Sequence, residues 1–319
     1  MKTFEQERAL SGNSERLPEH EEALYAILAP EIAKKALAMD SLEGVYTKEV
    51  IDRDKAQVEA LKEKFARGGT PEASRKGGKL FEAITYEGIE NAGFLGGDAS
   101  YIPASPYDDY INKIDGIVEF EEGKGSRSHV ALGIDVTKNR VDLFDKFSAI
   151  KNGIDEGKLS FVKYFVSDNF RGELRNVSRV IIGADERMTE DISHLILGNI
   201  RLRETLRGLG KEEGSDGMRE NLRKKIEEAS AKIGEHPLQW IILSEMKDQL
   251  GVFRDYALQK GRAHIAEEYG KIYEIVEDII KSKEEDLMDT GKKRNDEVIR
   301  EDQVYRLIKE ELKNFSQGS

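Results

Sequence analysis

The sequence predicts an α+β fold with helical additions at both ends. Three observations carry that reading. Apolar residues recur at helical spacing before residue 68, β-branched runs crowd into residues 111–184, and strand-like runs stop after Gly210. At 319 residues the chain exceeds one small core. Breaker clusters and the change of period divide it into an N-terminal helical region (1–70), an α/β core (71–212) and a C-terminal helical domain (213–319).

The elements follow in order. Leu24, Ile27, Leu28, Ile32 and Leu37 stripe a first helix that opens at Leu17-Pro18-Glu19, with acidic residues 19, 21 and 22 at its positive end. Thr47 is an N-cap for a second helix carrying Val50, Val58, Leu61 and Phe65, which ends at Gly68-Gly69-Thr70-Pro71. A third helix runs from Lys79 to about Ala92, with Leu80, Ile84 and Glu87 on one face. The Gly- and Pro-rich stretch 93–106 carries no predicted element. Residues 111–121 and 128–137 read as two strands joined by a hairpin turn at Gly123-Lys124-Gly125-Ser126. Residues 140–154 return to helix, and 159–167 and 177–184 are apolar on both faces, as in central strands. A helix from Glu186 to about Leu209 completes the order α-β-β-α-β-β-α.

Beyond it, Met218, Leu222, Ile226, Ala229 and Ile233 stripe a helix, and Pro237 starts another at its favoured first turn. Two more helices carry Ile265 to Ile279 and Val298 to Leu312. These long helices offer a surface for a homodimer.

Composition excludes several classes. Fifty Lys+Arg against 62 Asp+Glu give a net charge of −12, which rules out a chain-wide basic coat but not a local basic groove. Such grooves could draw on Lys76 to Lys79, Arg201 to Arg207, or Arg223, Lys224 and Lys225. The absence of cysteine removes disulfides, thiol nucleophiles and thiolate zinc sites. The five histidines are scattered, so a histidine metal cage must be assembled from distant segments; His194 reads as packed or exposed, and His264-x-x-Glu267 has no evident companion ligand. No stretch has the length of a membrane span or the apolar core of a signal peptide, so a cytoplasmic protein without a membrane partner is expected.

The chemistry concentrates in residues 80–165. Strand alternation puts Lys113, Asp115, Ile117 and Glu119 on one face, and His129, Ala131, Gly133, Asp135 and Thr137 on one face of the next strand. A hairpin symmetric about Gly125 sets Asp115 opposite Asp135 with Cβ atoms ~5 Å apart, although a slip would move them. Carboxylates that close repel unless a cation lies between them, and Mg²⁺ or Mn²⁺ suits hard oxygen donors. Gly116 and Gly133 leave room there for a substrate backbone. Glu87, on the apolar side of its helix, is a further carboxylate for the site. Lys163, inside the apolar run LSFVKYFVS, calls for an anionic partner, either at the site or in a structural ion pair.

A Glu-bearing helix (Glu87), an Asp in a strand core (Asp115) and an acid near the end of the next strand (Asp135) resemble the PD-(D/E)XK superfamily of restriction-endonuclease-like nucleases. The likeness covers about residues 76–210. It implies a restriction-endonuclease-like mixed sheet flanked by helices, with Asp115, Asp135 and Glu87 holding Mg²⁺ or Mn²⁺ for phosphodiester hydrolysis, DNA being the expected substrate. Thr137 stands where the motif has Lys, and alternation turns Lys138 to the other face. Lys163 or Lys113 would then supply the ammonium, and Thr137 could hold a water. Asp108 and Asp109 are alternate carboxylates if the register differs, and Glu119 is a further alternate ligand whose place nearer the turn favours a surface role. Without a lysine, the resemblance implies an inactive nuclease-like module that binds nucleic acid or protein through its helical region.

Overall fold

A computed structural model of the chain describes residues 16–68, 71–121, 127–134, 140–168, 170–209, 216–291, 294 and 296–317. It is an α+β structure built on a five-stranded mixed sheet. The N-terminal helices are α1 (Glu19–Lys35) and α2 (Lys48–Arg67), followed by α3 (Glu72–Ala92). Thr47 holds the N-cap position of α2 in extended backbone, but its side chain makes no capping hydrogen bond.

The helix α3 begins seven residues before its predicted start at Lys79. The stretch 93–106 is not devoid of structure: β1 (Ala99–Pro103) lies within it and pairs with β2 (Gly116–Glu121). Proline is tolerated there because β1 is an edge strand and Pro103 is its last residue. β3 (Arg127–Ile134), α4 (Arg140–Glu156), β4 (Ser160–Val166), β5 (Arg171–Ile182) and α5 (Glu186–Gly208) complete the unit. The sheet order is β1-β2-β3-β5-β4, with β3 and β5 parallel and the other neighbours antiparallel.

Two predicted details are corrected here. β4 is an edge strand, not a central one; its apolar residues are buried because helix and turn segments cover it, Tyr164 packing with Met39, Leu42 and Ile51. The β2–β3 ladder pairs Gly116 with Leu132 rather than Ile134, two residues from a hairpin symmetric about Gly125. The frame is set by which residues the sheet must bury: Val118, Phe120 and Val130 enter the main core, and Ile117 enters a second core with Val162, Phe165 and Val177.

Gly116 does not make room for substrate. A Cβ there would lie 2.1 Å from the Cζ and Oη of Tyr101 on the neighbouring strand. Gly116→Ala is therefore expected to lower stability by about 1–3 kcal/mol. The same change in a Tyr101→Ala background costs much less, which a double-mutant cycle by chemical denaturation measures.

The C-terminal region contains α6 (Asp216–Gly234), α7 (Leu238–Gln259), α8 (Ala263–Asp289), α9 (Asp296–Glu301) and α10 (Gln303–Gln317). The predicted helix across 298–312 is broken at Asp302, whose carboxylate accepts from the Tyr305 N–H, capping α10, and from the Asp185 N–H. The helix α7 is tied to the sheet by Gln249, whose side-chain amide accepts from the Ile181 N–H at 2.8 Å and donates to the Ile181 carbonyl at 2.6 Å. One contiguous apolar core runs from Leu24 and Leu80 through Val118 and Val180 to Trp240, Tyr269 and Ile308. The stripes of α8 and α10 are thus spent on the chain's own core. Among the described residues no helix is long and apolar enough to cross a membrane.

Candidate functional site

The cleft is built from α3 and the segment that leads into β2. On α3, Arg75, Lys79 and Glu82 recur at spacings of four and three, which places them on one side of the helix. After β1 the chain makes a π-helical turn at Asp108–Asn112 and leaves it through Lys113 in left-handed backbone, φ 57°. A strand was expected from residue 111. The turn replaces its first half, so Lys113 precedes β2 and Asp115 stands immediately before the strand.

Asp108 anchors this turn. Its fully buried carboxylate accepts from Ser105 Oγ, Asn112 Nδ2 and the backbone N–H groups of Lys163 and Tyr164, at 2.7–3.0 Å. With these four donors it is a structural residue, not an alternate ligand. Its neighbour Asp109 turns the other way, into the cleft.

Phe65, Arg75, Lys79, Glu82, Asp109, Tyr110, Lys113, Asp115 and Lys146 line a cleft of about 320 Å³. Lys79 Nζ lies 2.8 Å from the Glu82 carboxylate and 3.1 Å from Asp109. Two carboxylates therefore contact one ammonium, and Asp115 lines the same cleft. Burial, with Asp115 and Asp109 adding repulsion, pushes the Glu82 carboxyl up to about 8. Asp109 is raised as well, by burial first and by Asp115, against the pull of Lys79. Lys79 is raised because Glu82, Asp109 and Asp115 together outweigh its desolvation. For both acids burial is the first cause, and mutual repulsion adds to it against the pull of Lys79. Around it, the Phe65 and Tyr110 rings lie 6.1 Å apart, and Lys113 Nζ sits 4.8 Å from the Phe65 ring. Behind it, Arg179 of β5 donates to the carbonyls of Asn112 and Lys113 and holds the turn in place.

Of the sequence-predicted residues, Asp115 is in the cleft. Glu87 is not: it accepts from Asn91 at 2.7 Å, and Lys35, Glu31 and Arg203 are its charged neighbours. Five residues beyond Glu82 on a helix is roughly 140° around its axis, so the two carboxylates face different surroundings. Glu82 is the carboxylate the sequence reading missed. Its signal was the Arg75, Lys79, Glu82 spacing of charges beside the apolar stripe.

Lys163 is also elsewhere. Its ammonium contacts the buried Asp54 carboxylate of α2 and lies 4.8–5.6 Å from the ring centres of Tyr46, Tyr107 and Tyr164. Burial pushes Asp54 up, but the bonds from Lys163 and Tyr164 outweigh it and hold the carboxyl below its ordinary range. The structural ion pair is the reading that holds. Lys163→Ala removes the nearest cation from a carboxylate that is 2% exposed and leaves it only the Tyr164 hydroxyl at 2.9 Å and Arg53 at 3.4 Å, so it is expected to cost about 2–4 kcal/mol. Urea titration checks this, and pairing Lys163→Met with Asp54→Asn should restore part of the loss.

Glu119, expected nearer the surface, is 7% exposed and bonds to His129 across the ladder at 2.8 Å. Asp135, Thr137 and Lys138 lie outside the described residues. Lys76 of the predicted basic stretch is engaged by Glu22 and Glu72, whereas Lys79 is in the cleft. No family model matches the sequence, and neither a curated protein nor a solved structure is similar enough to count as a match.

Proposed function

We propose that the chain is a metal-dependent nuclease with a restriction-endonuclease-like core, acting on DNA. One observation carries the reading: Glu82, Asp109 and Asp115 meet in a single cleft with Lys79 between them and three further cations at its rim. The order of parts fits the resemblance once Glu82 replaces Glu87, with a Glu on the helix before the sheet and an Asp at the head of a strand. Asp135 and Thr137 remain candidates by sequence position.

The donor set is three hard carboxyl groups, which suits Mg²⁺ or Mn²⁺ and not a soft ion. Glu82, Asp109 and Asp115 would hold it. When bound, such an ion polarises a phosphodiester and acidifies a water. The chain's own groups do the rest. Lys79 places a fixed positive charge beside the acids, where negative charge grows on the phosphoryl oxygens, and so takes the part of the missing motif lysine. Arg75, Lys113 and Lys146 offset flanking phosphates, which gives a chain of net charge −12 a local basic lip. Phe65 and Tyr110 offer ring faces against which a base can stack.

Thr137 at the motif lysine position supports a second reading, a module that binds nucleic acid without cutting it. Labelled single- and double-stranded DNA and RNA, incubated with the protein in Mg²⁺, Mn²⁺ or chelator, separate the two. Cleavage that requires a divalent ion is the expected result. Retention of DNA without cleavage in either ion would establish the binding module instead.

A further inference from the structure

Two of the scattered histidines are brought together. His20 lies at the start of α1 and His194 in the middle of α5, on which α1 packs. Their rings stack with centroids 3.7 Å apart and planes 13° from parallel. Glu190 lies one turn before His194 on α5. Each of the three offers a ligand atom within 4.8 Å of the others. A separate observation concerns His20 itself: its Nε2 is buried and has no hydrogen-bond partner among the described residues. Buried polar nitrogens are rarely left so, because losing water without a replacement is costly.

We propose that His20, Glu190 and His194 form a binding site for a divalent transition-metal ion of the zinc class, separate from the carboxylate cleft. Two imidazoles and one carboxylate, with a fourth position open, are a borderline-soft donor set that suits zinc and disfavours Mg²⁺. Stacked rings cannot both aim their in-plane lone pairs at one ion, so binding must turn one of them. His194 and Glu190 are exposed and can rotate, while the half-buried His20 supplies the fixed nitrogen. Glu186, one turn before Glu190, adds negative charge near the site. The bound ion ties the first helix to α5 and so favours the folded state.

Titration calorimetry with zinc chloride on the full chain, after chelator treatment, tests this for the wild type, His194→Ala and Asp115→Asn. The expected result is one zinc ion whose affinity falls at least about 10-fold in His194→Ala, the loss that removing even an outer partner of a metal site produces. It is retained in Asp115→Asn. Zinc at roughly 100-fold over its Kd should raise Tm by about 4 °C in the wild type and not in His194→Ala. Because His194 is exposed, the variant's Tm in chelator should equal that of the wild type. Zinc binding that survives His194→Ala and disappears in Asp115→Asn would place the ion in the cleft and overturn the proposal. So would no uptake at all, which would leave the histidines as a packing contact.

Discussion

Asp115→Asn is expected to lower divalent-dependent cleavage about 10³-fold or more and to leave the fold intact. The amide keeps the shape of the carboxylate at the head of β2, and the bond from Arg179 to the Lys113 carbonyl does not involve it, although the buried guanidinium loses a neighbouring negative charge. What it loses is an anionic oxygen in a cleft whose proposed metal site draws on three acids. At 1.36 kcal/mol per tenfold, the loss amounts to about 4 kcal/mol of transition-state stabilisation, within what one electrostatic partner supplies. Single-turnover cleavage of the best substrate, with circular dichroism as the control, measures it. Lys163→Met provides the contrast: lower stability but unchanged cleavage per folded molecule, since Lys163 is committed to Asp54 and not to the cleft. Full activity in Asp115→Asn would move the active centre out of this cleft.

Glu82→Gln should abolish cleavage and at the same time stabilise the metal-free protein. The sign follows from linkage. The Glu82 carboxyl has an ordinary value of 4.5 and is pushed up to about 8 in the fold. A group raised in this way contributes stability that is fully present below its unfolded value and is lost as pH rises through its folded value. The wild type should therefore weaken between about pH 4.5 and pH 8 through this residue, and the glutamine variant should not. At 1.36 kcal/mol per unit, for a shift that already includes the pull of Lys79, the variant gains up to about 4 kcal/mol near pH 8 and almost nothing near pH 4.5. Thermal melts in chelator at pH 5 and pH 8 reveal the difference. Mg²⁺ should raise the Tm of the wild type more at pH 8 than at pH 5, and should have little effect on the variant. A glutamine variant less stable than the wild type at pH 8 would show that Lys79 already satisfies the carboxylate. This is the expected behaviour of a functional site, which holds like charges in an arrangement that disfavours the fold without its ligand.

Much of the architecture was legible in the chain because it rests on local signals. Helix periodicity marked α1, α2, α6 and α8, and the structure adds that Asp185 caps α5 by accepting from the Met188 N–H. β-Branched runs marked four of the five strands. The fifth, β1, was hidden because Gly and Pro surround five residues with no strong alternation, and it is a strand only because β2 offers it an edge.

The candidate cleft was legible only in part. An acidic residue interrupting apolar β-structure drew attention to Asp115, and the cleft contains it. Glu87 looked right because it shares a face with Leu80 and Ile84, yet helix rotation presents Glu82 to the cleft. Lys163 looked catalytic because a lysine in an apolar strand demands an anion, and nothing in the strand says that the anion is Asp54, more than a hundred residues earlier.

By itself, then, the sequence determined the class of the fold and the order of most elements, because propensity and periodicity act over a few neighbours. Only the tertiary structure decided which charges meet. The register of β2 against β3, the π-helical turn that separates Asp108 from Asp109, and the meeting of His20 with His194 all depend on how distant surfaces are buried together, and no local window contains that information.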